Sequence, residues 1–203
     1  MKTKWLKRWI EQCDIISTWS EDTSTKVSCI IIDENSQTQL SIGWNGLPRG
    51  NELTDRRLNE RPYKYKWFEH AERNAIYNAA RKGIALEGST MIIRNQYPCT
   101  DCARAIIQSG ISKLYTLEPE PDHPRWGDDM KVSIEMLSEI ETLEVFYYDP
   151  ENLKNIKRAR LRLDKTCIFL KNITEENRYV CARGLIEIAN FDCMECNYKV
   201  SLA

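Results

Sequence analysis

The sequence predicts an α/β domain in which helices cover both faces of a central sheet. Five short segments have the apolar or β-branched composition of strands: residues 27–32, 40–44, 91–93, 113–117 and 143–148. The first two flank Asp33-Glu34-Asn35-Ser36, whose side chains favour a turn, and they therefore predict a hairpin. Helical segments alternate with the later strands, and this alternation is typical of an α/β fold.

Four helices are predicted around these strands. Trp5, Trp9 and Cys13 recur at helical spacing, which predicts an amphipathic first helix. The other three are expected over 69–81, from Pro98 to Gly110, and over 131–140. The stretch 46–66 combines glycines and prolines with many charges, so we expect a long irregular loop of the kind that often carries function.

The composition indicates a folded protein that handles a small ligand. Of the 203 residues, 42% are hydrophobic and 29% are charged, which is typical of a globular domain. The formal charge of -1 provides no global field for holding a long polyanion. No segment resembles a signal peptide or approaches the roughly 20 apolar residues of a membrane span. We therefore expect a cytoplasmic protein with reduced cysteines.

The character of the chain changes after residue 149, which predicts a catalytic domain over 1–149 and a C-terminal extension of unknown role over 150–203. A basic segment over 154–165 favours one solvated helix face over an RNA contact, since the total charge is near zero. Four cysteines follow it: Cys167, Cys181, Cys193 and Cys196. They could bind a second, structural zinc, but their uneven spacing favours buried free thiols.

The strongest chemical signal is a His-Ala-Glu run followed by a Pro-Cys-x-x-Cys run. His70, Cys99 and Cys102 provide one imidazole and two thiolates, and three protein ligands leave the fourth position of a tetrahedral zinc open to water, as in catalytic sites. The two cysteines are one helical turn apart, so their sulfurs share a face of a helix whose start favours thiolates. Glu72 is placed to shuttle protons for that water. A structural zinc with a fourth ligand is the alternative.

The same pattern is the signature of the zinc nucleobase deaminases. Several further stretches resemble the deoxycytidylate (dCMP) deaminase family more closely, and together they cover about residues 5–149. They are Ser24-Thr25-Lys26-Val27, GWNGLPRG at 43–50, EHAERNAI at 69–76, PCTDCA at 98–103 and DHPRWG at 122–127. His123, the only other histidine, is expected to be a loop residue without a chemical role.

The resemblance implies a three-layer α/β/α cytidine-deaminase fold with a mixed five-stranded sheet. It implies zinc-dependent hydrolysis of dCMP to dUMP and ammonia, with one catalytic zinc and no organic cofactor. Asn45 would position the sugar or base, and the Ala71 N–H would bind the pyrimidine carbonyl. Members of this family are commonly oligomers, so the resemblance implies a homo-oligomer, either a dimer or a hexamer. It also suggests dCTP and dTTP as effectors.

A monophosphate substrate needs cationic or N–H donors near the pocket. The sequence offers Lys26, Arg49 and Arg125, although each fits a solvated surface charge equally well. Trp126 could stack on a base or belong to the core. Thr25 and Pro98 lie in the matched motifs and complete the predicted substrate contacts.

Three other functions compete with dCMP deamination. One is a deaminase of tRNA or single-stranded nucleic acid, because the Gly-Trp-Asn run at 43–45 also resembles tRNA adenosine deaminases. Another cytosine nucleotide such as dCTP is a possible substrate. A regulatory protein that kept the fold but lost activity is the third. The complete ligand set argues against lost activity, and the charge balance argues against a nucleic-acid substrate.

Overall fold

The computed structural model describes residues 1–159 and three later segments, 170–172, 179–181 and 186–188. The chain divides into two compact units, Met1–Ala159 and Arg160–Ala203. All of the residues singled out for catalysis or substrate binding lie in the first unit. The role of an extension beyond residue 149 stays a prediction.

A mixed six-stranded sheet forms the centre of the first unit. Its strands in chain order are β1 (Ser28–Asp33), β2 (Thr38–Trp44), β3 (Thr90–Arg94), β4 (Lys113–Thr116), β5 (Glu144–Tyr148) and β6 (Ile156–Arg158). Their order across the sheet is β2-β1-β3-β4-β5-β6. The predicted hairpin is confirmed, since β1 pairs antiparallel with β2. β1 is also antiparallel to β3, whereas β3, β4 and β5 run parallel.

The prediction of five strands was wrong, because the start of the basic segment forms β6 instead of a helix. β6 pairs antiparallel with β5, and Phe146 lies opposite Arg158. The Arg158 guanidinium also lies 2.6 Å from the Glu144 carboxylate. Without β6, β5 would be an edge strand with unpaired backbone groups, and pairing removes that liability.

Helices lie on both faces of the sheet, as predicted. They are α1 (Thr3–Ser17), α2 (Asp55–Asn59), α3 (Lys64–Trp67), α4 (Ala71–Lys82), α5 (Thr100–Gln108) and α6 (Gly127–Ser138). α1 covers one face, where Trp9 and Cys13 pack with Ile30 and Ile92. α4 packs against β1 and β2. α5 packs beside α4, and α6 packs beside α5. Among the described residues, no helix has the length and apolar character to cross a membrane.

The stretch predicted as an irregular loop contains the two short helices α2 and α3. The Thr54 hydroxyl accepts a hydrogen bond from the Arg57 N–H and so caps the start of α2. α3 contains the buried Lys64, whose ammonium lies 2.7 Å from the Asp22 carboxylate. A short isolated helix is marginal in water, so tertiary contacts of this kind decide whether such segments form.

The described part of the second unit is a three-stranded antiparallel sheet. Its strands β7 (Leu170–Asn172), β8 (Tyr179–Cys181) and β9 (Ile186–Ile188) follow one another in that order. Cys181 lies in β8. Cys167, Cys193 and Cys196 lie outside the described residues, so the choice between a tail zinc and free thiols stays a prediction.

Helix α4 lies in direct hydrogen-bonding contact with the edge strand β2. Three side chains connect them: Ser41 Oγ donates to the Ala75 carbonyl at 2.6 Å, Asn74 Nδ2 to the Trp44 carbonyl at 2.8 Å, and Asn78 Nδ2 to the Ile42 carbonyl at 2.7 Å. Gly43 permits this approach, because a Cβ atom there would overlap the α4 backbone at Ala71 and Ala75. Glycine at this position therefore allows the backbone of α4 to pack directly on β2.

We expect the substitution Gly43→Ala to lower the free energy of unfolding by about 1–3 kcal/mol, because the added methyl group meets backbone atoms that cannot rotate away. Urea denaturation followed by circular dichroism measures this change. Gly46→Ala is the matched control, since a Cβ at Gly46 has no atom within 4 Å. Equal destabilisation by the two variants would contradict the close approach at Gly43.

Candidate metal centre and active site

The starts of two helices meet at the candidate metal centre. His70 is the N-cap of α4 and Cys99 is the N-cap of α5, and both have extended backbone conformations. Cys102 lies in the first turn of α5 and is fully buried. Because N-cap residues leave the helical path, their side chains can turn toward a partner outside their own helix. Helix starts on the sheet therefore bring together ligand atoms from distant parts of the sequence.

The three predicted ligands converge. Nδ1 of His70 lies 3.3 Å from the Cys99 sulfur and 3.5 Å from the Cys102 sulfur. All three donor atoms lie within 4.8 Å of one another. A tetrahedral zinc with bonds of about 2.3 Å to sulfur and about 2.0 Å to nitrogen separates those ligand atoms by about 3.5 Å. The residues present therefore fit a zinc ion, with Nδ1 as the imidazole donor.

The electrostatics of these groups favour a thiolate at Cys99. Hydrogen bonding from Cys102, together with the neighbouring His70 imidazole, lowers the pKa of Cys99 to about 4 against the opposing effect of burial. The hydrogen bond with Cys99 raises the pKa of His70 to about 9. Contact with Cys99, together with burial, raises the pKa of Cys102 above its usual range. Metal ligation needs deprotonated sulfur, and Cys99 is already in that form at neutral pH.

Glu72 lies in the first turn of α4 and only 3% of its surface is exposed. Burial raises the pKa of its carboxyl, and the Cys99 charge raises it further, while the His70 charge opposes both effects. A raised pKa makes a carboxyl group easier to protonate than an ordinary glutamate, which suits a group that takes up and returns a proton. The structure thus buries Glu72 at the start of α4, and its role as proton carrier stays a prediction.

Arg73 links the starts of α4 and α5, a role that the sequence motifs did not predict. Its guanidinium lies 2.5 Å from the Glu69 carboxylate and 3.2 Å from that of Asp101 in α5. The Glu69 carboxylate also accepts the His70 N–H at 3.0 Å. The four-residue spacing of Glu69 and Arg73 is a signal for an ion pair on a helix. The contact with Asp101 is visible only in the tertiary structure.

The predicted substrate residues Thr25, Lys26 and Asn45 belong to one hydrogen-bonded loop. The Asn45 side chain accepts the Val27 N–H at 2.8 Å and donates to the Thr25 carbonyl at 2.8 Å. Lys26 Nζ donates to the Ser20 carbonyl at 2.6 Å. Asn45 thus holds this loop in the structure, and its contact with a sugar or base stays a prediction.

A buried ion pair, formed by Asp22 and Lys64, also holds that loop. The Asp22 carboxylate accepts the backbone N–H groups of Ser24 and Thr25 at 2.7 and 3.0 Å, and Lys64 donates to it at 2.7 Å. Asp22 and Lys64 are only 6% and 3% exposed. Burial opposes ionisation of Asp22, but the hydrogen bonds from Lys64 and the backbone hold its pKa below the usual value. No local pattern predicts this pair, because the two residues are 42 positions apart.

Arg125 and Trp126 form an exposed cluster with Tyr65 of α3. The Arg125 guanidinium lies 4.6 Å from the Tyr65 ring centre and 4.5 Å from that of Trp126. The two rings meet edge to face at 6.0 Å. His123 Nδ1 accepts the backbone N–H groups of Arg125 and Trp126 at 3.2 and 3.1 Å, so this histidine shapes the loop. Trp126 is 41% exposed and does not belong to the core.

Of the remaining predicted substrate contacts, Ala71 and Pro98 directly adjoin proposed metal ligands, whereas Arg49 contacts α4 further along the helix. Ala71 begins α4 directly after His70, and the N–H of a first helical residue has no acceptor within its own helix. Pro98 is buried directly before Cys99. Arg49 instead donates to Asn78 at 2.5 Å. Asn78 lies about 10 Å along the helix axis from the start of α4.

Comparison with known proteins identifies the family. A family model described as "Cytidine and deoxycytidylate deaminase zinc-binding region" matches residues 3–118, which is more than half of the 203-residue chain. The chain belongs to this family. The resemblance stated from the sequence motifs is therefore confirmed, and zinc is the metal that the family description names for this region.

Relatives of this deaminase include several nucleotide deaminases. An uncharacterised deaminase encoded near luxG in Aliivibrio fischeri is 40% identical over 141 residues, covering 68% of this chain and 90% of the relative. The deoxycytidylate deaminase of enterobacteria phage T4 is 41% identical over 88 residues, covering 43% of this chain and 41% of the relative. The human deoxycytidylate deaminase is 37% identical over 101 residues, covering 47% and 54%. The matches thus span about half the length of these deoxycytidylate deaminases.

Solved structures confirm the fold class. The dCMP deaminase of cyanophage S-TIM5, crystallised in complex with dCMP and dUMP, superposes with a TM-score of 0.54 at 27% identity. The match covers 71% of this deaminase and 97% of the cyanophage chain. The same enzyme without ligand gives a TM-score of 0.55. The predicted cytidine-deaminase-like α/β architecture is therefore correct, apart from the number of strands.

We expect iodoacetamide to alkylate Cys99 rapidly at pH 6 after a chelator has removed bound metal. With a pKa of about 4, Cys99 is a thiolate at pH 6 and loses reactivity only as the pH falls toward 4. Burial raises the pKa of both Cys13 and Cys29, so these cysteines should react slowly. Peptide mass spectrometry measures the extent of alkylation at each site.

Zinc-loaded protein is the control for this experiment, since a metal-bound sulfur should be protected. A Cys99 alkylation rate that rises about tenfold per pH unit between pH 6 and 8 would indicate an ordinary thiol with a pKa of about 8.5, and would contradict the expected thiolate.

Proposed function

We propose that this deaminase hydrolyses dCMP to dUMP and releases ammonia. The observation that carries the proposal is a buried carboxyl group, Glu72, beside one imidazole and two sulfurs that fit a zinc ion. The deoxycytidylate deaminases among the relatives, and the cyanophage enzyme crystallised with dCMP and dUMP, support this choice of substrate.

His70, Cys99 and Cys102 would hold one catalytic zinc. When bound, zinc supplies a water whose pKa it lowers to about 7, so that a nucleophile is available at neutral pH. Because Cys99 and Cys102 both lie at the start of α5, the helix dipole stabilises their negative charge. Arg73 adds a positive charge beside the sulfurs while remaining paired with Glu69 and Asp101.

Glu72 would move the protons of the reaction. Its carboxylate accepts a proton from the attacking water and delivers it to the ring nitrogen, which makes the ring carbon a better electrophile. The new C–O bond forms at the carbon that carries the amino group. Glu72 would then take the proton of the newly added hydroxyl and pass it to the amino group. The C–N bond breaks, ammonia leaves, and the C–O bond becomes the carbonyl of dUMP. The raised pKa of the buried Glu72 carboxyl supports this role, in which the group gains and loses a proton within one catalytic cycle.

The nucleotide would bind between the starts of α4 and α5 and the loop before β1. In this proposal the Ala71 N–H binds the pyrimidine carbonyl and Asn45 contacts the sugar or base. Thr25 and Pro98 line the pocket. The hydrogen bonds that Asn45 makes to Val27 and Thr25 support a rigid wall at this position, which would reduce the entropy lost on binding.

Arg125 is the best candidate for the phosphate contact among Lys26, Arg49 and Arg125. Lys26 and Arg49 already donate to Ser20 and Asn78. The Arg125 guanidinium lies over both the Tyr65 and the Trp126 ring, and contacts with two rings leave some of its N–H donors available for a phosphate. Trp126 would accordingly support Arg125 and could also stack on the base.

We also propose that the deaminase is a cytoplasmic homo-oligomer, either a dimer or a hexamer, with dCTP and dTTP as effectors. This proposal rests on the family resemblance. Light scattering during size-exclusion chromatography, with and without each nucleotide, tests the assembly. Turnover of dCMP at increasing dCTP or dTTP concentrations tests the regulation.

We expect Glu72→Gln to reduce kcat with dCMP by about 10²–10⁴-fold, because the amide cannot accept and return the proton. Zinc content should stay at the wild-type value, since Glu72 is not a proposed ligand. Ammonia release and elemental analysis measure the two quantities. Glu135→Gln, at an exposed position on α6, is the control and should retain wild-type kcat. A fully active Glu72→Gln variant would disprove the proposed role of Glu72.

A substrate panel tests the nucleotide class. Ammonia release should be fastest with dCMP and much slower with dCTP, deoxycytidine and a tRNA stem-loop. Turnover of the stem-loop alone would instead establish a nucleic-acid deaminase.

We expect Arg125→Gln to raise KM for dCMP by about 10–100-fold, which corresponds to the loss of a charged hydrogen bond worth about 1.5–3 kcal/mol. KM for deoxycytidine should not change, because that substrate carries no phosphate. Arg49→Gln is the matched comparison, since the Arg49 guanidinium is already hydrogen-bonded to Asn78. This variant should raise KM for dCMP less than Arg125→Gln does. Equal increases for dCMP and deoxycytidine would contradict a phosphate contact at Arg125.

A further inference from the structure

The start of α5 lacks a cap from its own N-cap residue. Cys99 occupies that position and its side chain makes no capping hydrogen bond. Its sulfur lies instead 3.3 Å from His70 Nδ1, within the proposed ligand set. The first N–H groups of a helix have no acceptor inside the helix and need one from elsewhere. A residue that serves as a metal ligand therefore leaves the N–H groups that follow it without their usual partner.

Asp129 of α6 supplies the missing acceptor. Its carboxylate accepts the Thr100 backbone N–H at 3.0 Å and the Thr100 hydroxyl at 2.7 Å. Thr100 is the residue directly after Cys99. Asp129 itself lies in the first turn of α6, so its negative charge is favoured by the starts of two helices at once.

Ser133 holds the residue on the other side of Cys99. Its hydroxyl is fully buried and donates to the Pro98 carbonyl at 2.8 Å. Asp129 and Ser133 are one helical turn apart, so both project from the same face of α6. That face therefore holds the backbone immediately before and immediately after Cys99.

We propose that Asp129, assisted by Ser133, is a positioning residue for Cys99 and controls how tightly the deaminase retains zinc. The inference rests on the proposed metal site. Groups that orient metal ligands through hydrogen bonds contribute to affinity because they fix the ligand before the metal binds. α6 begins directly after Arg125 and Trp126, so one helix would connect the proposed phosphate contact with a metal ligand.

The test compares zinc release from the full chain to a chromogenic chelator. Asp129→Ala should release zinc about 10–100-fold faster than the wild type, as expected when an outer partner of a metal ligand is lost. Asp128→Ala is the matched control, because the neighbouring Asp128 side chain is fully exposed and pairs with Lys131 on the surface of α6. It should release zinc at the wild-type rate. Equal release rates for Asp129→Ala and the wild type would overturn the proposal.

Substitutions at Thr100 test the same contact from the opposite side and avoid any loss of folding caused by removing Asp129. Thr100→Val removes the hydroxyl donor but keeps the N–H, so it should accelerate zinc release less than Asp129→Ala does. Thr100→Ser keeps both donors and should release zinc at the wild-type rate. Identical rates for Thr100→Val and Thr100→Ser would count against the proposal.

Zinc release is measured without turnover, so it separates this inference from the proposed reaction. Rapid zinc loss in Asp129→Ala supports the positioning role even if the wild type fails to deaminate dCMP, which would contradict only the substrate. A wild-type chain that binds no zinc would overturn both the metal site and the role of Asp129.

Discussion

The site depends on one geometric constraint, the close approach of two helix starts above the same sheet. His70 and Cys99 both precede the first turn of a helix, and the donor atoms can converge only if those helices begin at a fixed separation. Gly43 sets the position of α4 by allowing its backbone to approach β2 without a side chain between them. The parallel strands β3 and β4 set the position of α5, which connects them.

Ion pairs connect charged side chains around this site. Arg73 pairs with the carboxylate of Glu69, just before α4, and with that of Asp101 in α5. Lys64 pairs with Asp22, which accepts hydrogen bonds from the loop before β1. An unpaired buried charge would be strongly destabilising, whereas a paired and hydrogen-bonded charge fixes geometry. Glu72 differs from these groups, because burial raises the pKa of its carboxyl and so favours the protonated form more than in an exposed glutamate.

Much of the chemistry was predictable from the sequence because the residues lie in short local motifs. His70, Glu72, Cys99 and Cys102 occur at spacings that fix their relation to a helix start, and the hairpin of β1 and β2 followed from apolar composition and turn residues. The prediction failed for β6, where a run of basic residues concealed a strand. It also missed α2 and α3, which depend on contacts such as that of Lys64 with Asp22 and have no strong periodicity of their own.

The sequence by itself determined which side chains could bind zinc and carry a proton, because those properties belong to residue types at local spacings. Only the tertiary structure decided which other residues hold these side chains in place. Asp129 reaches Thr100 across 29 positions, Lys64 reaches Asp22 across 42, and Tyr65 lies against Arg125 in a distant loop. Such contacts arise from the packing of whole helices and strands, and the physical reason they escape sequence patterns is that no local period encodes the separation between elements.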